Sequence, residues 1–232
     1  MNGYLNNFRQ QINTLNNVYY ELLALIEKQS AIKNWWVFGG GTALAMFHFN
    51  HRKSFDIDIF ITESQLFDFL NPKWYIDETK IFDNNEYRFD GMNHHIQLRT
   101  KDDIKVDFLL NESIINKPIK DTKLDIDYEL FYESVEDIIA KKIKWRKQDN
   151  LTRDIFDIAI AISFDKSIIE KLIFSRFITF EDLEVLNNSL NKLDEKKYIL
   201  ELEKIEPQNK EFEKIALNSR TIIQKNIKSI MK

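Results

Sequence analysis

The feature that most constrains this chain is a short one. Trp35-Trp36-Val37-Phe38 runs straight into Gly39-Gly40-Gly41, and then into Thr42-Ala43-Leu44-Ala45-Met46-Phe47. An apolar run of that length, closed by glycines and followed by small and apolar residues, reads as a buried strand, a tight turn and a helix. Three of the chain's five glycines lie in this single turn, so its backbone freedom is concentrated there. Five Gly and three Pro in 232 residues also leave no room for long flexible linkers. A turn of this kind exposes backbone N–H groups and the Thr42 hydroxyl at a helix start, which suits a triphosphate. It is not a Walker A loop, because no Gly-Lys-Ser/Thr follows. Taken alone, a glycine turn with a helix cap explains it better.

A second pattern follows within fifteen residues. Phe55 to Ile61 alternates at period two, with Ile57, Ile59 and Ile61 on one face of a strand and Asp56, Asp58 and Phe60 on the other. Two carboxylates on one face of a mostly buried sheet repel. They persist most easily around a divalent cation such as Mg²⁺, which prefers oxygen ligands and leaves room for phosphate and water. Val106-Asp107-Phe108 offers a third acid on a later strand, with Val106, Phe108 and Leu110 toward the core. Three carboxylates have the capacity for one or two metal ions. An Asp-Ile-Asp pair by itself is more often a solvated face, but glycine turn and acid pair together are far less expected by chance.

Around these motifs the chain reads as mixed α and β. Leu5, Phe8, Ile12, Leu15, Tyr19, Leu22 and Ile26 recur at three and four, which predicts an opening amphipathic helix. Thr62-x-x-Gln65 has the form of a capping box before a short helix that Pro72 ends. Strands are expected at 86–89, 95–99 and 104–110, with a turn at Asp90-Gly91, and a weaker one between 124 and 132. Ser134 with Asp137 is an N-cap signal, and helix follows helix from there. The expected organisation is a core over residues 1–133 with a mixed sheet, and a helical bundle over 134–232 closing one side of a cleft.

Composition removes several classes. With no Cys there are no disulfides, thiolate nucleophiles or Cys-ligated metals, and a reducing cytoplasm is the natural setting. No run of about 18 apolar residues exists to span a bilayer, and the polar first 30 residues do not form a signal peptide. A net charge of -4 means that nucleic acid requires a local basic patch. The stretch Lys141 to Arg153, with Trp145, is such a patch, although a solvated helical face is the commoner explanation. Lys142 and Arg146 share one helix face at i and i+4, and Asp154 and Asp157 sit at i and i+3 on the next helix. A surface lattice, Arg153 with Asp157 for example, would account for these charges at a few tenths of a kcal/mol. His48 and His51 lack a third ligand for a metal, and adjacent His94 and His95 point to opposite faces of a strand.

Gly40-Gly41-Thr42-Ala43-Leu44, followed by Arg52, Ser54, Asp56, Ile57 and Asp58, resembles the signature of the AbiEii/AbiGii-type toxin nucleotidyltransferases of the polymerase-beta-like superfamily. Glu136 to Lys142 and Arg153-Asp154-Ile155-Phe156-Asp157-Ile158 resemble that family's Lys and Arg-Asp-x-x-Asp motifs. The resemblance covers about residues 36 to 162. It implies an NTP bound at Gly40, Gly41, Thr42 and Ser54, with Mg²⁺ on Asp56 and Asp58. Arg52, Lys142 and Arg146 would neutralise phosphate, Asp154 would be a site residue, and Asp157 would orient its neighbours. Asp107 as the third carboxylate, acting as general base or completing a second metal site, comes from the strand pattern. The implied setting is a toxin–antitoxin or phage-defence system, with tRNA or another RNA as acceptor and an antitoxin as partner. Two other readings stay open here: nucleotidylation of a small molecule, and a nucleotide- or partner-binding module without turnover.

Overall fold

The computed structural model describes residues 3–90, 94–110 and 115–231. The chain divides into two compact units. One comprises Met1–Met46, Phe55–Ile114 and Pro118–Glu133, and the other Phe47–Ser54, Ile115–Lys117 and Ser134–Lys232.

The first unit opens with a helical run: a 3₁₀ segment Gly3–Phe8, helix α1 (Arg9–Val18), a π turn Tyr19–Leu23 and helix α2 (Ala24–Ser30). Leu5, Phe8, Ile12, Leu15, Leu22 and Ile26 are buried as the periodicity predicts. Tyr19 is only half-buried, and Val18 and Leu23 go inside in its place. The π turn holds an extra residue per turn, which rotates the apolar stripe past Tyr19.

Seven strands make one sheet. They are β1 (Trp36–Gly39), β2 (Ile57–Ile61), β3 (Phe82–Asp90), β4 (His95–Thr100), β5 (Lys105–Leu110), β6 (Ile119–Lys120) and β7 (Phe131–Tyr132), in the order β3-β4-β5-β2-β1-β7-β6. The pairs β2–β5 and β1–β7 are parallel and the others antiparallel, so the sheet is mixed. Ile57, Ile59, Ile61, Ile96, Leu98, Val106 and Phe108 have no exposed surface. Their regular alternation fixes the register, because a one-residue slip would turn every one of them outward.

Three local expectations change. Thr62 does not cap a helix: its N–H donates to the Trp35 carbonyl at 2.8 Å and extends the β1–β2 ladder, so a 3₁₀ helix begins at Ser64 with no side-chain cap. Pro72 starts a second 3₁₀ turn, Pro72–Trp74, and Asn71 accepts from the Lys73 N–H. Of the weak extended stretch 124–132, only Phe131–Tyr132 is strand. Gly91, half of the expected Asp90-Gly91 turn, lies outside the described residues.

The second unit is helical: α4 (Val135–Arg146), α5 (Thr152–Phe164), α6 (Ile168–Phe174), α7 (Phe180–Asn191), α8 (Glu195–Ile205), α9 (Lys210–Leu217) and α10 (Ser219–Ile230). Ser134 caps α4 by accepting from the Asp137 N–H at 3.1 Å. Helix α5 contacts α4, α6, α8, α9 and α10. It is therefore buried on all faces from Asp154 to Ile162, not along the single stripe that the spacing of Leu151, Ile155, Ile158 and Ile162 predicts, and Leu151 is exposed. Residues 47–54 form a strap on this unit, tied by Lys53 N–H to the Ile205 carbonyl and by Gln208 N–H to the His51 carbonyl, each at 3.0 Å. No helix among the described residues is long and apolar enough to cross a membrane.

Candidate active site

The glycine turn and the acids meet in the sheet unit. Register places Gly39 opposite Asp58, Asp58 opposite Asp107, and Asp107 opposite Gln97. Directly paired residues point to one face, so Asp58 and Asp107 stand side by side on strands about 4.8 Å apart. The glycines are required by this packing. A helix, α3 (Gly40–Ala43), starts at the turn, and Gly40 has φ of +67°. A β-carbon added to Gly40 would lie 1.9 Å from Asp58 Oδ2, and one on Gly39 would lie 2.1 Å from Glu133 Oε2. The Gly40 N–H donates to Glu133 Oε2 at 3.3 Å. Thr42 is buried, and its hydroxyl donates to the Asp56 backbone carbonyl, tying the new helix to the entry of β2.

Asp107 is buried and tightly held. It accepts from His95 Nε2 at 2.8 Å and Gln97 Nε2 at 2.9 Å, while Lys105 Nζ lies 3.0 Å from its other oxygen. Burial alone would push the Asp107 carboxyl up. The His95 bond, the Lys105 charge and the Gln97 bond outweigh it and hold the group below its ordinary value. Lys105 is also 3.5 Å from Asp56 Oδ2. Burial opposes its charge, but Asp107 and Asp56 together raise its pKa.

Among the described residues, no group of three or more His, Asp and Glu side chains is gathered so as to hold a metal ion. The paired carboxylates of Asp58 and Asp107 are the hard-oxygen donors, although both Asp107 oxygens already have protein partners. Two carboxylates with the remaining positions left to water and phosphate suit Mg²⁺, which seldom takes a cage made wholly of protein. The donor chemistry therefore fits one such ion, with Lys105 supplying a further positive charge between Asp56 and Asp107.

The other sequence-predicted residues gather in the helical unit. Asp157 has no exposed surface and accepts from Arg52 Nε and Nη2 at 2.7 and 2.8 Å, and from His51 Nε2 at 2.7 Å. Lys142 Nζ lies 3.0 Å from Asp157 and also donates to Asp154. Arg146 Nη1 is 3.5 Å from the second Asp154 oxygen. Burial raises the pKa of both acids, but Arg52 and Lys142 hold Asp157 well below the usual carboxylate range, and Lys142 and Arg146 lower Asp154. Burial lowers the His51 pKa despite its bond to Asp157. A surface lattice with Arg153 is thus not what holds Asp157: its partners come from a buried cluster. Ser54 is half-buried at the end of the strap.

The family model described as the nucleotidyl transferase AbiEii toxin of type IV toxin–antitoxin systems matches residues 22–218. That span takes in the glycine turn, the acid row and the buried cluster. The chain belongs to the AbiEii nucleotidyltransferase family. Among solved structures, JHP933 from Helicobacter pylori is similar at 15% identity and a TM-score of 0.48, over 96% of this chain and 94% of that one. MenT4, a nucleotidyltransferase toxin from Mycobacterium tuberculosis H37Rv, is similar at 13% identity and a TM-score of 0.47, over 93% and 92%. No curated protein matches the sequence.

In this AbiEii chain, sequence reasoning misses Glu133, Lys105, His95 and Gln97. Glu133 carries no local signal: it reaches the glycine turn because β7 runs parallel beside β1, with Phe38 opposite Tyr132. His95 and Gln97 were open to discovery, since both occupy the polar phase of the β4 alternation.

Proposed function

We propose that this AbiEii nucleotidyltransferase moves a nucleotide from an NTP to an acceptor hydroxyl in a Mg²⁺-dependent reaction, as the toxin of a cytoplasmic toxin–antitoxin pair, with RNA such as tRNA as acceptor. The observation that carries the reading is the pair Asp58 and Asp107 in register, with Asp58 packed against Gly40. A protein with no cation or polyphosphate to bind has little use for two carboxylates side by side, one of them held against a glycine turn.

In this reading Asp58 and Asp107 would hold one Mg²⁺, with Asp56 two residues before Asp58 and 3.5 Å from Lys105. When bound, the ion neutralises charge on the transferring phosphoryl group and its leaving oxygen. Gly40 and Gly41 carry the triphosphate tail, while Thr42, expected from the sequence to share in it, is buried with its hydroxyl committed to the Asp56 carbonyl and fixes the turn instead. The acceptor hydroxyl oxygen forms a bond to the α-phosphorus as the bond to the pyrophosphate oxygen breaks, and the hydroxyl proton passes to solvent. Asp107, held ionised by His95, Gln97 and Lys105, suits a fixed anionic ligand better than a proton acceptor, which needs a pKa near the working pH. Lys105 keeps the acid cluster from carrying its full negative charge toward an anionic substrate.

The test is labelling. The protein is incubated with each labelled NTP, Mg²⁺ and total RNA, beside an Asp58→Ala variant checked for an unchanged circular dichroism spectrum. The expected outcome is label on RNA with wild type and none with the variant. Transfer by Asp58→Ala at the wild-type rate sinks the reading, and label on a small molecule redirects the acceptor.

A further inference from the structure

We infer that Arg52 is a positioning residue, not a phosphate ligand: its guanidinium is the counter-charge that fixes Asp157, and through Asp157 it sets the place of Lys142. The inference rests on the proposed nucleotidyl transfer, and on the phosphate-neutralising role that the family resemblance implies for Lys142, only for its kinetic consequence.

Each guanidinium nitrogen of Arg52 has a protein partner. Nε and Nη2 form a two-pronged fork on the Asp157 carboxylate, and Nη1 donates to the Lys53 carbonyl at 2.9 Å. The Arg52 side chain is 3% exposed and that of Asp157 not at all. Removing this fork to grip a phosphate would leave a buried anion short of its best partner, an expensive exchange in a dry interior. The backbone agrees. Flanking amides of the strap are tied to the α8 terminus and the residues after it, through Lys53 to Ile205 and His51 to Gln208, and Arg52 itself bridges Pro207. The guanidinium is therefore delivered to Asp157 by a strap fixed on both sides.

Charge balance gives the consequence. Asp154 and Asp157 are two buried anions, Lys142 and Arg52 two buried cations, and His51 is kept uncharged by its burial. Lys142 sits between the two acids. With Arg52 present, Asp157 is already satisfied by a bidentate partner and holds Lys142 loosely enough for Asp154 to share it. Without Arg52, the partners that remain to Asp157 among the described residues are Lys142 and His51, and the ammonium is drawn toward Asp157 and away from Asp154. Arg52 thus sets which acid holds Lys142 without touching substrate.

Arg52→Gln, Asp157→Asn, their double variant and Arg52→Lys test this in the full chain, by thermal melting, by kcat and KM for the NTP, and by calorimetric MgATP binding. Each neutral single variant should melt about 6–20 °C below wild type, since breaking one side of a buried pair is strongly destabilising, and the double variant should recover more than half of that loss. Arg52→Lys, which keeps the charge and loses the fork, should lower kcat about tenfold or more with KM changed less than about threefold. A phosphate-binding Arg52 behaves otherwise: KM and MgATP affinity worsen about tenfold or more in Arg52→Gln and stay so in the double variant, which overturns the inference. A double variant that melts no higher than the worse single variant also overturns it. Should wild type neither bind MgATP nor transfer a nucleotide, the proposed function fails, while the melting cycle still decides whether Arg52 and Asp157 are coupled.

Discussion

Gly40→Ala is the sharpest perturbation of the acid row, because the structure sets both of its costs. Gly40 sits at φ +67°, where a side chain costs about 1–2 kcal/mol. The added methyl would also lie 1.9 Å from Asp58 Oδ2, inside the 3.0 Å that β-carbons respect. The carboxylate must then retreat by about 1 Å, and forcing such a shift in a packed interior costs about 1–3 kcal/mol. The total, about 2–5 kcal/mol, lowers the melting temperature by about 4–20 °C for a chain of this size. A shift of about 1 Å in a reacting group costs about 100-fold in rate, so kcat should fall by that factor while KM for the NTP changes less. Melting of wild type, Gly40→Ala, Asp58→Ala and the double variant separates the two costs. In the Asp58→Ala background the methyl has no carboxylate to strike, and the cost of Gly40→Ala should shrink to the backbone part and a residual 2.9 Å contact with the β-carbon of residue 58. Equal costs in both backgrounds, or a Gly40→Ala protein that melts with wild type, would refute the claim that this glycine exists to admit Asp58.

Lys105→Met removes the ammonium shared by Asp56 and Asp107, and Mg²⁺ titrated into nucleotide-free protein should bind about tenfold tighter than to wild type; unchanged or weaker binding refutes the view that Lys105 offsets the charge of the acid row. His51 is held below its ordinary value of 6.5 by burial, so as pH falls below about 6.5 the unfolded chain takes up a proton that the folded one refuses, and stability declines with a slope of up to about 1.4 kcal/mol per pH unit. His51→Gln should flatten that slope between about pH 6.5 and 5, and an unchanged slope in the melting temperatures would count against a neutral buried His51. Asp154 and Asp157 have depressed folded values, so their contribution is complete above the ordinary carboxylate range and is lost as pH falls through the lower folded values; Asp157→Asn should remove part of this acid limb, and a full-size limb below about pH 4 in that variant would contradict the assignment.

How far the site was legible follows from the range over which its residues interact. The alternation in 55–61 and 104–110 is a local property, so the shared face of Asp56 and Asp58 and the placing of Asp107 on the face opposite Val106 and Phe108 could be read directly, though not its burial. That Asp58 faces Asp107 could not. The two are joined by parallel pairing across almost fifty residues, with the two antiparallel strands β3 and β4 between them in sequence, and nothing local states a parallel partner. Glu133 is the extreme case: one acid beside a two-residue strand, brought to Gly40 only by β7 lying next to β1.

Arg52 shows a different failure. In sequence, an Arg between a glycine turn and an acid pair reads as a phosphate fork, because a cation is assumed exposed until something is known to bury it. The missing clue was present in another segment. Ile155-Phe156-Asp157-Ile158-Ala159-Ile160-Ala161-Ile162 has one charge in eight residues, which is the composition of a helix apolar on all sides and hence buried on all sides. A carboxylate in such a helix cannot remain charged without cations brought to it, and few segments elsewhere in the chain offer one next to a histidine as His51-Arg52 does. The family motif holds both halves of that pair, Arg52 and Asp157, 105 residues apart. Reading each half as a separate substrate contact requires two unpaired buried charges. Reading them as one ion pair requires none, and that difference in desolvation is what the Arg52 and Asp157 double variant measures.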